Sequence, residues 1–171
     1  DLNVANEQND MVEKLIHKFF HFDNSDMSGK IVAYLNLLFN DIVRFIGKDF
    51  TPLNPLMKSE YMTNYCVTQK DEGLLSFNSG IDMSKSVAIA FASRYAKEEF
   101  HEFDEYVKAS IEDFLNLHNG LFNVNMSNEF SLELNLCPPE VHEEETLTNA
   151  TKIYVFPIIF PFGTFHFLME I

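Results

Sequence analysis

Residues 109–120, ASIEDFLNLHNG, set an acid, an amide and a glycine at spacings that one helix face can use. Asp113 and Asn116 are three residues apart, so on a helix their side chains lie about one turn apart on the same side. Gly120 follows one further turn on, where a helix of this pattern is expected to stop. Around this core, apolar residues recur at helical spacing, and the spacing predicts a helix from about Asp104 to Asn119.

Working outward, the pattern predicts three more helices. Met11, Leu15, Ile16 and Phe19 give residues 10–20 a helical stripe, behind a polar start at residues 1–9 that reads as linker or disordered. The polar run DNSDMSG (Asp23–Gly29) reads as a turn. It precedes a helix from Lys30 to Ile46, stopped by Gly47, with Ile31, Leu35, Leu38, Ile42 and Phe45 on its buried stripe. Asp82 or Ser84 caps a further helix that runs to about Lys97.

Strand signals come in pairs. EYMTNYCVTQ (60–69) and GLLSFNSGI (73–81) read as a hairpin around Lys70, Asp71 and Glu72. NVNMS (123–127) and FSLELNLC (130–137) read as a second one through Ser127, Asn128 and Glu129. Residues 153–169, IYVFPIIFPFGTFHFLM, are almost wholly apolar, but Pro157, Pro161 and Gly163 disqualify a membrane-spanning helix. A phenylalanine-rich hairpin turning at Pro161, Phe162 and Gly163 fits instead. The expected fold class is α/β (α+β, two-layer): a mixed or antiparallel six-stranded sheet covered by long helices, as one domain over residues 10–171.

Composition sets limits on function. A formal charge of −14 with 12 Lys and Arg argues against a nucleic-acid surface, which needs clustered basic residues. Acid gathers at Glu98, Glu99, Glu102, Asp104 and Glu105, and again at Glu140 and Glu143–Glu145, which reads as solvated surface or as attraction to a basic partner. Two cysteines, Cys66 and Cys137, form no metal-ligand pattern and read as buried reduced thiols. His17 and His21 have metal-ligand spacing but no evident third ligand. There is no Walker loop, GxSxG, GxGxxG or HExxH. No signal peptide is evident and a cytoplasmic location is expected; a start at Asp1 points to a chain cut from a longer one or processed.

The helix at 109–120 resembles the signature helix of the CheC/CheX/FliY chemotaxis phosphatases. There an Asp or Ser, a Glu four residues later and an Asn seven later recur. Here Ala109 takes the first place, Asp113 the Glu place, and Asn116 and Gly120 fit. Ser76–Ser84, Glu98–Val107, Phe114–Val141 and Phe160–Ile171 also look like CheX-type segments, in the same order.

The resemblance implies a phosphatase for the aspartyl phosphate of a response-regulator receiver domain. In that role Asn116 would orient the attacking water, since an amide offers both donor and acceptor, and Asp113 would dock on the receiver's lysine. Ala109, Glu112 and Gly120 would lie on the partner-binding surface, with Glu112 about 100° round the helix from Asp113. The partner would be a phosphorylated CheY-like receiver that supplies the Mg²⁺, this chain carrying no cofactor of its own. A receiver could also precede Asp1 in the full chain. Because Asp113 is one methylene shorter than Glu and Ala109 is apolar, the alternative is a non-catalytic module that binds a receiver or mediates dimerisation. A homodimer is expected, since CheX-like domains pair through their sheets and the last strand, 164–171, reads as an exposed apolar edge.

Overall fold

The structure, a computed structural model, describes residues 25–73 and 76–170. The chain divides into two compact units, residues 1–48 and 49–171. In the first, helix α1 spans Ser25–Phe45. It therefore begins inside the segment read as a turn, because each residue added to an existing helix gains one hydrogen bond at little cost. Its buried stripe is Ile31, Tyr34, Leu35, Leu38 and Ile42, with Ile46 replacing the half-buried Phe45. The amides of Ile46 and Gly47 both bond the Ile42 carbonyl at 2.9 Å, which closes the helix where glycine was expected to end it. The expected helix at 10–20 and the His17–His21 pair lie outside the described residues.

The second unit joins two helices to an eight-stranded sheet in which every pairing is antiparallel. The strands are β1 (Thr51–Pro52), β2 (Leu56–Met62), β3 (Tyr65–Gly73), β4 (Phe77–Met83), β5 (Leu134–Leu136), β6 (Glu140–Glu143), β7 (Thr146–Phe160) and β8 (Gly163–Glu170). Their order is β1-β7-β8-β4-β3-β5, with β2 also on β7 and β6 also on β3. Helices α2 (Lys85–Ala96) and α3 (Glu105–Phe130) follow β4. The two-layer class is as expected, and among the described residues the strand count is eight rather than six.

Alternation sorts the sheet's two faces. Tyr65, Val67, Gln69, Phe77, Ser79, Ile81, Phe165 and Phe167 share one, by their register across β3, β4 and β8. Phe91 of α2 meets Phe114 of α3 and Phe165 of β8, each with ring centroids 5.3 Å apart and edge-to-face. All three rings are essentially inaccessible to solvent, and burial of each is worth about 2–3 kcal/mol. On the opposite face Tyr61, Cys66, Ile153, Val155 and Leu168 form a second cluster.

Three expectations are corrected. The first hairpin turns after Gly73, not at Lys70–Glu72, because Asp71 is a buried strand residue whose Oδ1 accepts from Asn123 Nδ2 at 3.1 Å. The second hairpin is absent: residues 123–127 are helix. Phe122 and Met126 extend the buried stripe of α3, so the helix runs ten residues past Gly120, and only Leu134–Leu136 of the expected partner forms a strand. The final strand is no edge, since β8 lies between β7 and β4. The closing hairpin itself is as read. Gly163 sits at φ 137°, and a Cβ there would come within 2.6 Å of Val87, so the turn needs glycine twice over. Cys66 is buried and Cys137 half-buried, both as free thiols.

Candidate functional site

Helix α3 carries the site. Asp104 caps it, its Oδ1 accepting from the amides of Tyr106 and Val107 at 3.1 and 3.2 Å. One side, Val107, Ile111, Phe114, Leu115, His118, Asn119, Phe122 and Met126, is buried. That leaves a stripe on which Ala109, Asp113 and Asn116 are exposed and Gly120 half-exposed. Their spacings of three and four residues put them on one surface. Tyr106, 72% exposed, and Val124, 55% exposed, continue the same stripe at either end. Sequence reading missed both, since a lone exposed apolar residue carries no pattern.

The two central side chains are held from different elements. Tyr95 of α2 donates its hydroxyl to Asp113 Oδ2. Partial burial and the Asp113 carboxylate together push the Tyr95 pKa above its ordinary value. Asn116 Oδ1 accepts from Gln69 Nε2 of β3 at 2.8 Å. The second proton of that nitrogen goes to the Cys137 carbonyl at 2.9 Å. Gln69 Oε1 in turn accepts from Asn119 Nδ2 at 2.9 Å, and the same nitrogen reaches Ser79 Oγ at 3.0 Å. Gln69, Asn119 and Ser79 are each no more than 2% exposed. Nothing in the sequence spacing joins Gln69 or Ser79 to Asn116; the sheet register does.

The other expected site residues separate. Glu112 turns to a different side of α3, where its carboxylate, with those of Glu143 and Glu105, adds to the burial that raises the Tyr65 pKa. Gly120 lies mid-helix rather than at a helix end, and a Cβ added there would meet no atom within 4 Å. Glycine here costs the helix about 1 kcal/mol relative to alanine without any internal contact requiring it. His118 faces inward, its ring edge-on to Phe167 at 6.1 Å.

A cleft of about 520 Å³ lies elsewhere, lined in part by Thr68, Lys70, Asn78, His142 and Glu170. Within it His142 joins Thr68 Oγ1 at 3.0 Å through Nε2 and Glu145 Oε1 at 2.5 Å through Nδ1. Thr68 alternates with Gln69, so this cluster is on the sheet face away from α3.

The sequence matches no protein-family model and no curated protein. Solved structures do match. A CheC-like superfamily protein from Shewanella sp. PV-4 superposes with TM-score 0.69 at 16% identity, over 85% of this chain and 97% of that one. The chemotaxis protein CheX of Desulfovibrio desulfuricans gives 0.67 at 14% identity, over 83% and 98%. The CheX–CheY–BeF₃–Mg²⁺ complex of Borrelia burgdorferi gives 0.67 at 17%, over 82% and 96%. The chain is built on the CheX and CheC-like fold.

Proposed function

We propose that the chain is a CheX-like member of the CheC/CheX/FliY family that accelerates hydrolysis of a receiver's aspartyl phosphate. The observation that carries this reading is the Asp113–Asn116 stripe on α3, exposed and flanked by Tyr106 and Val124, in a fold shared with a CheX solved together with CheY. The receiver would lie along α3, its lysine meeting Asp113 and its phosphoryl group facing Asn116. Water's oxygen bonds to phosphorus as the bond from phosphorus to the aspartyl oxygen breaks, releasing inorganic phosphate and the receiver's carboxylate. This reaction needs positioning and charge stabilisation more than covalent help. Asn116 orients the water, and Mg²⁺ arrives with the receiver. Gly120 and Ala109 keep the surface low enough for close approach.

The same reading places the protein in the cytoplasm as a homodimer. Among the described residues strand β2 pairs only with β7, and Leu56, Met57 and Met62 at the two ends of this free edge are about half or more exposed.

The test is the lifetime of phosphorylated receivers with the native chain and with Asn116→Ala. Native protein shortens the lifetime and the variant does not. Equal lifetimes with and without native protein overturn the proposal.

A second reading is a receiver-binding module without catalysis. It is favoured by the Tyr95 bond that already occupies Asp113 and by the apolar Ala109. It requires receiver binding with an unchanged phosphate lifetime.

A further inference from the structure

We infer that Gln69 is a positioning residue that fixes which way the Asn116 amide points. This rests on the role proposed for Asn116 and deepens it. An amide side chain can rotate by half a turn and exchange its oxygen and nitrogen at little steric cost. Asn116, exposed on a helix, has no polarity of its own.

The Cys137 carbonyl removes the ambiguity. It is a backbone acceptor with no proton to give, so the Gln69 atom 2.9 Å away must be the nitrogen. A reversed Gln69 would set oxygen against that carbonyl and against Asn116 Oδ1, and would also turn its nitrogen toward the Asn119 nitrogen. The Asn119 Nδ2 bond to Gln69 Oε1 agrees with the orientation that the Cys137 carbonyl sets. Because Gln69 Nε2 has a second proton to place, Asn116 must turn Oδ1 inward to take it.

The consequence is functional. Asn116 presents its NH₂ outward as a donor, while one lone pair of Oδ1 stays open to accept from a water. Burial of Gln69 excludes competing solvent and strengthens the constraint. A backbone carbonyl following β5 thus sets the polarity of a surface amide on α3, through one strand residue.

The experiment compares receiver dephosphorylation by native protein, Gln69→Met, Gln69→Glu, Asn116→Ala and the Gln69→Met/Asn116→Ala double variant, with receiver affinity measured separately. Gln69→Met keeps the volume but has no donor. Gln69→Glu keeps the shape but accepts only, and so invites Asn116 to reverse. Both lower turnover at saturation by about tenfold or more, as expected for a misplaced reacting group, and leave receiver affinity within about twofold. The double variant is no slower than Asn116→Ala, because a residue acting through another has nothing left to contribute. Native turnover in Gln69→Met, with Asn116→Ala inactive, overturns the inference alone. Native turnover in Asn116→Ala overturns the parent reading and this one with it.

A readout on the native protein stands apart from variant folding. Both Gln69 side-chain amide protons exchange with solvent about tenfold or more slowly than those of Asn116. Equally fast exchange at the two sites overturns the inference.

Discussion

The hydroxyl of Tyr95 on α2 donates to Asp113 Oδ2 on α3 at 2.5 Å, so the acid of the candidate site is already engaged within the chain. A receiver lysine must share or displace that bond. Tyr95→Phe keeps the ring that packs edge-to-face on Phe114 at 5.9 Å and removes only the donor. We expect stability to fall by about 1 kcal/mol or less and receiver affinity to rise severalfold. Unchanged affinity by titration would show that Asp113 is no docking residue.

Lengthening the acid tests the same point from the other side. Asp113→Glu extends the carboxylate beyond the present Tyr95 bond and should speed receiver dephosphorylation. Asp113→Ala should weaken receiver affinity, whereas Asn116→Ala should lower turnover. Adding Ala109→Ser to Asp113→Glu measures the first motif position. If neither restores activity to an inactive native protein, the binding-module reading stands.

Gly120 separates stability from docking. Gly120→Ala meets no atom within 4 Å and should stabilise the protein by about 0.5–1 kcal/mol in a denaturant titration. Gly120→Gln should keep much of that gain and lose receiver affinity. A bulky residue at 120 with native affinity would remove this position from the interface.

Asp71 gives a pH signature. Burial raises its carboxyl to about 6, against a smaller opposing effect of the Asn123 bond. Between the unfolded value of 3.8 and 6 the native state holds more protons than the unfolded chain. Stability from this group is therefore fully present below about pH 4 and lost as pH rises through 6. Among the described residues, Asp71 Oδ2 and Asn123 Oδ1 have no hydrogen-bond partner. Asp71→Asn keeps the side-chain shape and removes the buried charge. Urea unfolding at pH 7 should show a gain of about 1–3 kcal/mol, and the variant should lose the pH 4–6 slope.

Assembly is checked by sedimentation. A homodimer is expected at tens of micromolar, and a mass of one 19.8 kDa chain would contradict it.

Local features were legible in the residue pattern. Ser84 caps α2, accepting from the Val87 amide at 3.3 Å, as a serine ahead of an apolar run should. Asp113 and Asn116 share an exposed face because helical periodicity depends only on spacing. The final hairpin turns where proline and glycine require it. Features that needed a distant partner were set by packing and strand register instead. Gly120 fails to end α3 because Phe122 and Met126 find a core to enter, and packing outweighs a single glycine's cost. Lys70–Glu72 fail to turn because Asn123, fifty-two residues from Asp71, satisfies the buried carboxylate. The last strand becomes central through its pairing with β4, more than eighty residues earlier. Gln69 acquires its place under Asn116 in the same way: strand register and helix packing bring together residues that periodicity along either segment alone cannot relate.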